Sequence, residues 1–224
     1  MAIVLPSDFA VPNSRSVIPN VTAGPGTWTL FIDEREAYVL RVVFGSKFYK
    51  EFVDALAALP ALWLQATAYV TGNQVAYGVS IWEALQNNSG VVPVEGVDWH
   101  KVEDNKYLKL RDGNTYDYSG KTYRYGGLKE LLVPYIYSEY IKKSHRNVAK
   151  LGVNQPKVEN STVVDPIHDI VSNYNEFVRL LGTSYFGYNA VDTFYGFYWA
   201  NRTDYADLCF DEQCELLPIN SFGI

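Results

Sequence analysis

The sequence predicts a mainly α-helical protein: a bundle of about four or five helices with a β-hairpin, a small β-containing insertion and extended terminal arms. Three observations predict it. Leu128, Leu131, Leu132, Tyr135, Ile136, Tyr140 and Ile141 recur at helical spacing. Counting both stripes, that helix is apolar on nearly every side, which marks it as central and buried. Just before it, Tyr116, Tyr118, Tyr123 and Tyr125 flank Ser119-Gly120, a pair able to supply the positive φ of a hairpin turn. Earlier still, Phe48, Phe52 and Leu56 line one face of a segment bounded by Gly45 and Pro60.

Taken in order, residues 1–27 read as an extended N-terminal arm. Pro6, Pro12, Pro19 and Pro25 exclude a helix there, because proline lacks an N–H donor and clashes with the preceding turn. Ile3, Val4, Leu5, Phe9, Val11, Val17 and Ile18 make the arm too apolar for a free linker. It is expected to lie on something, either its own domain or a neighbour. Residues 28–204 form the helical domain. Asp33 with Glu36 resembles a capping box and starts a helix that Gly45 ends. Ser46 caps a second helix, and Pro60 stops it.

A β-rich insertion is expected at about residues 70–125. Residues 61–68 read as a possible continuation of helix, and Val75, Tyr77, Val79 and Ile81 alternate as in a strand. Asn87-Asn88-Ser89-Gly90 is a turn, and Pro93 confines residues 91–97 to an edge strand or a loop. Asp104-Asn105 and Asp112-Gly113 read as further turns. Trp82 and Trp99 are either contact anchors or packing within the insertion. After the central helix, Asp165-Pro166 starts another, with Ile167, Ile170, Val171, Tyr174, Phe177, Val178 and Leu181 on its apolar face until Gly182. Residues 188–200 are dense in aromatics, and Gly196 weakens a helix there. Residues 205–224 read as a C-terminal tail.

Composition narrows the function. Hydrophobic content of 48% with 20% charged residues describes an ordered chain. A net charge of -6 argues against a duplex-DNA binder, which needs a basic face; it is compatible with lining a channel through which DNA slides, and equally with an ordinary mildly acidic protein. Eighteen Tyr, five Trp and eleven Phe are an unusual load for one modest domain. Such side chains serve either surfaces that are wet when free and buried against a partner, or a large aromatic core. No basic residue precedes the short apolar start, so no secretory leader is expected, and no apolar run reaches membrane-spanning length.

Motifs for chemistry are lacking. His100, His145 and His168 are isolated, and Cys209 with Cys214 makes neither a four-ligand zinc set nor a redox motif. No GxSxG, GxxxxGK[ST] or GxGxxG occurs, and Gly126-Gly127 reads as a hairpin-to-helix junction. The expectation is therefore a non-enzyme without catalytic, metal-binding or cofactor residues. Lys142, Lys143, His145, Arg146 and Lys150 form a basic cluster open to three readings: a solvated helix end, an inter-subunit strip, or a phosphate contact.

Two blocks carry a resemblance. The first is GKTYRYGGLKELLVPYIYSEYIKKSHRN over residues 120–147, followed by LGVNQPKVENS over 151–161. The second is Glu34-Arg35-Glu36, then Phe44-Gly45, Phe48-Tyr49 and Glu51-Phe52. Together they resemble a family of small virion proteins in crAss-like and related phages of Bacteroides-type bacteria, similar to head-to-tail connector or ring subunits. Pro134 departs from that family's helix, which has no proline, and predicts that the helix here is not straight.

The resemblance implies a ring subunit in the phage neck or tail, made in the host bacterial cytoplasm. It would join portal to tail and leave a channel for DNA. Its partners would be itself, in roughly 12 or 6 copies, the portal protein, and neighbouring ring or tail proteins. A closed ring needs a heterologous interface, for which Tyr118, Tyr123, Arg124, Tyr125, Trp82, Trp99 and Phe9 are the candidates. Replacing Tyr123 and Tyr125 by Ala is then expected to spare folding and block assembly. The alternatives are another virion role, as tail hub or capsid-associated protein, or a tail-associated hydrolase.

Overall fold

The computed structural model describes residues 3–9, 25–150, 166–182 and 191–208. Chain order gives a 3-10 turn (Pro6–Phe9), α1 (Pro25–Phe44), α2 (Ser46–Ala57), β1 (Ala68–Tyr69), β2 (Gln74–Tyr77), β3 (Ser80–Ala84), β4 (Asn88–Ser89) and β5 (Trp99–Asp104). Then come α3 (Lys106–Asp112), β6 (Asn114–Tyr118), β7 (Lys121–Tyr125), α4 (Gly127–Lys150), α5 (Pro166–Leu181) and α6 (Phe194–Ala200).

About 51% of the structure is helical and 19% is strand, in six helices and three small sheets among the described residues. This corrects the mainly-α expectation: the fold is mixed α/β. The physical reason is that the strands are not an appendage to the helical core. Strands β1–β5 enclose a core of their own, with Tyr69, Val75, Ala84 and Trp99 at its centre, separate from the helical one, while β6 and β7 put Tyr116 and Tyr125 into the helical core itself.

The helical body forms around α4, which packs on α5, α3 and α1. Leu128, Leu131, Leu132 and Ile136 are buried, as the spacing predicted. Helix α4 runs without interruption through Pro134, whose missing N–H removes the backbone bond to the Glu130 carbonyl. Phe48, Phe52 and Leu56 of α2 face the same core.

Helix α1 begins at Pro25, well before the predicted start, because Trp28, Phe31 and Ile32 add a buried turn upstream. Proline is tolerated in a first helical turn. Asp33 and Glu36 therefore lie inside the helix and form no cap. Ser46 likewise occupies the first turn of α2, behind Gly45 at φ 90° as the N-cap.

Residues 61–68 are not helical. Trp63 N–H bonds the Ala76 carbonyl at 3.0 Å, and Leu62 bridges Ala76. The alternating segment is two strands, turning at Gly78, in a sheet ordered β2-β3-β5. Asp104-Asn105 leads into a helix, not a turn. The Asn105 side chain accepts the Tyr107 and Leu108 N–H groups at 2.9 and 3.2 Å, which is an N-cap. Thr193 does the same for α6, taking the Gly196 N–H at 3.2 Å, so a helix forms despite Gly196.

Asp165, residues 151–161, Cys209, Cys214 and most of the proposed C-terminal tail lie outside the described residues, as do the side chains of His145, Arg146 and Lys150. No described helix is long and apolar enough to cross a membrane.

Candidate functional site

The hairpin β6–β7 turns at Ser119 (φ 51°) and Gly120 (φ 76°), and its register pairs Tyr116 with Tyr123 and Tyr118 with Lys121. Period-two alternation sends Asn114, Tyr116, Tyr123 and Tyr125 toward the body. Tyr125 is only 3% exposed; its hydroxyl donates to the Leu110 carbonyl at 3.2 Å, and its ring stacks on Phe197. Burial pushes its hydroxyl pKa well above the usual tyrosine value. The Tyr116 hydroxyl donates to the Val191 carbonyl, and burial raises its pKa to about 12. Both phenols are thus neutral structural groups.

The hairpin cannot swing freely on α4. Gly113 and Gly127 have φ of 91° and 87°, and a Cβ on Gly127 would stand 2.4 Å from the Gly113 backbone nitrogen. The two glycines let the start of β6 and the start of α4 touch backbone to backbone. The same inner-face row continues past the core to Tyr118 and Lys121, and there it reaches water. Tyr118 is 49% exposed. Arg124, on the outer face, is exposed beside Glu130 at 3.1 Å.

The β lobe, residues 61–104, is built around Trp99, whose indole N–H donates to the Val91 carbonyl at 3.0 Å. Tyr69 meets Trp99 edge to face at 5.3 Å, and Trp63 and Trp82 lean on the same cluster half-buried. The open edge of β5 is partly covered. Glu95 accepts the Lys101 backbone N–H at 2.8 Å and approaches His100 Nδ1 at 2.9 Å. The Lys101 N–H first, and His100 second, hold the Glu95 carboxyl below its usual pKa.

The lobe joins the body through Asp104. Its carboxylate takes the Ser80 hydroxyl at 2.6 Å and pairs with Lys101 at 2.9 Å and Lys109 at 3.3 Å. These contacts, the Ser80 bond foremost, hold its pKa down at about 2.

The lobe's outer surface is unusual. Nine of the sixteen exposed large apolar side chains among the described residues lie within it. Backbone bonds gather three of them at one end. Gly72 N–H donates to Ala84 O at 2.8 Å, and Leu85 N–H to Asp98 O at 2.9 Å. Val70, Leu85 and Val97 are thereby brought into adjacent segments, at 54%, 47% and 78% exposure. Asp98 stands beside them, its carboxylate accepting from Gln86 at 2.6 Å.

The other candidates sit elsewhere. Phe9 is buried against Trp28, ring centroids 5.4 Å apart, in an N-terminal strap, residues 3–9, that docks on α1. Phe9, Trp99 and Tyr125 are thus spent on the chain's own cores, while Tyr118 and Arg124 are exposed and Tyr123 and Trp82 half-buried. The structure does not bring the seven together into one patch core. A polar cleft of about 510 Å³ lies between the β5–α3 corner and α6, lined by Asn105, Lys106, Tyr107, Asn201, Asp204 and Tyr205 among others. Its polar groups engage one another: Lys106 Nζ meets Asp207 at 2.6 Å and the Asp204 carbonyl at 2.8 Å, and Tyr107 bonds Asp207 at 2.7 Å. They close a joint between the corner and the 201–208 segment.

Val70, Leu85 and Val97 were not visible as site residues, because each is a lone apolar residue in a segment without periodicity. Among the described residues no group of three or more His, Cys, Asp or Glu is placed to hold a metal ion. No family model, curated protein or solved structure matches the chain.

Proposed function

We propose that this chain is a structural subunit of a cyclic ring in the neck or tail of a phage particle, joining portal to tail and leaving a channel for DNA. Two things support the reading: the resemblance of the 34–52 and 120–161 blocks, and the surface of the β lobe. The lobe carries the argument. A lobe with a core of four buried side chains exposes nine large apolar ones. Scattered apolar residues are ordinary on a surface, but such a concentration marks a contact surface.

Assembly by this means uses shape and burial, with no covalent step. The helical body supplies a rigid frame, and the lobe and hairpin tip supply contact surfaces on it. The deciding measurement is the copy number of the chain in purified virions against the portal subunit. A ratio of about one or about one half is expected for a ring stacked on the portal axis. A ratio in the tens would place it in the capsid shell, and absence from virions would overturn the reading.

A further inference from the structure

A ring closes only if two different surfaces on each copy fit one another. The charge distribution identifies such a pair. Residues 61–104 carry Glu83, Glu95, Asp98, Glu103 and Asp104 against Lys101, a net charge of -4. Residues 105–150, which include the hairpin and α4, carry ten Lys and Arg against four Asp and Glu, a net charge of +6. One chain therefore carries an acidic lobe and, next in sequence, a basic segment whose excess lies mostly on α3 and α4. The hairpin, residues 114–125, has Lys121 and Arg124 against Asp117, a net charge of +1. Complementary charge of this kind selects a partner and fixes its register.

The two surfaces also differ in form. The hairpin tip carries Tyr118, half-exposed, with Lys121 directly across the register. Lys121 has no ion-pair partner among the described residues. The lobe end carries Val70, Leu85 and Val97 with Asp98 at its margin. An aromatic with a cation matches an apolar patch with an acidic rim, the usual composition of an interface core and its edge. No described hydrogen bond or ion pair joins the hairpin tip to the lobe of its own chain.

Building on the ring reading, we propose that the occupant of the lobe end is a second copy of this chain. The Tyr118–Lys121 tip of one copy seats on Val70, Leu85 and Val97 of the next, with Lys121 facing Asp98. The joint is head-to-tail. Each copy thus uses its tip on one side and its lobe on the other.

The test is disulfide trapping in the full chain with Cys209 and Cys214 replaced by Ser, alongside native mass measurement of the unmodified protein. A chain carrying Tyr118→Cys together with Val97→Cys is expected to oxidise to a ladder ending at one closed size. A mixture of the two single variants gives a covalent dimer, and each single variant alone gives none. Lys121→Glu weakens self-association by about fivefold, and adding Asp98→Lys restores it.

Self-crosslinking of Tyr118→Cys alone would mean a two-fold joint and overturn the proposal. If the unmodified chain assembles but no tip-to-lobe crosslink forms, this joint is wrong and the ring reading stands. If the unmodified chain remains a monomer at every concentration tried, both fall.

Discussion

Tyr125 lies flat on Phe197, their ring centroids 4.3 Å apart and their planes 12° from parallel. This contact fastens the hairpin to α6, and Tyr116 reinforces it edge to face on the same Phe197 at 5.3 Å. The hairpin is therefore part of the core on one face while its tip remains in water. That division separates a stabilising base from an exposed tip within a single twelve-residue segment, residues 114–125.

Tyr125→Ala is expected to destabilise the fold by about 3–4 kcal/mol, since it leaves a cavity and an unpaired Leu110 carbonyl. Tyr118→Ala should stay within about 0.5 kcal/mol of the unmodified protein. Urea unfolding of the two variants measures both. This corrects the expectation from sequence that Tyr123→Ala with Tyr125→Ala would spare folding. Equal stability losses at 118 and 125 would contradict the division between a packed hairpin base and an exposed tip.

Glu36 gives a second prediction, through pH. Its carboxylate is buried and accepts the Ile3 N–H at 3.2 and 3.0 Å and the Val4 N–H at 3.0 Å, pinning the strap to α1. Burial, opposed by the Val4 and Ile3 amides and aided by Asp33, raises its pKa from 4.5 to about 7. A raised acid holds its proton more tightly in the folded state. Its stabilising effect is complete below pH 4.5 and fades as pH rises through about 7, by up to about 3 kcal/mol. Glu36→Gln keeps an oxygen for both amides without a charge, so its strap should remain docked at pH 9. Denaturant midpoints at pH 5 and pH 9 read the difference. An unchanged pH dependence in the Gln variant would remove Glu36 as its source.

The lobe supplies the third. Trp99 is wholly buried at the centre of a core that is separate from the helical one. Trp99→Ala is expected to open the lobe by about 3–5 kcal/mol, which a core of that size cannot withstand. Amide hydrogen exchange should then lose protection in β2, β3 and β5 while α4 retains it. Simultaneous loss in α4 would show that lobe and body unfold as one unit.

Much of the helical half was legible from sequence because burial there repeats. Leu128, Leu131, Leu132 and Ile136 recur at the helical period, and Phe48, Phe52 and Leu56 do the same. The hairpin was legible because Ser119-Gly120 supplies local turn chemistry between matched tyrosines. The short helices α3 and α6 were not, since each has seven residues and too few turns to display a period. Asp33 and Glu36 had the spacing of a cap, but spacing cannot tell a helix start from a helix middle.

By itself, then, the sequence determined where α2, the hairpin, α4 and α5 form, since local propensity and periodicity act within one segment. It also determined the opposite charges of residues 61–104 and 105–150. Only the tertiary structure decided that Phe9, Trp99 and Tyr125 are internal and that Tyr118 is not. It alone brought Val70, Leu85 and Val97 to one end of the lobe, and it turned Glu36 from a supposed cap into the pin of the strap. The reason is that these assignments depend on long-range contacts. A lone apolar or acidic residue carries no sign of what will be packed against it until the chain has closed.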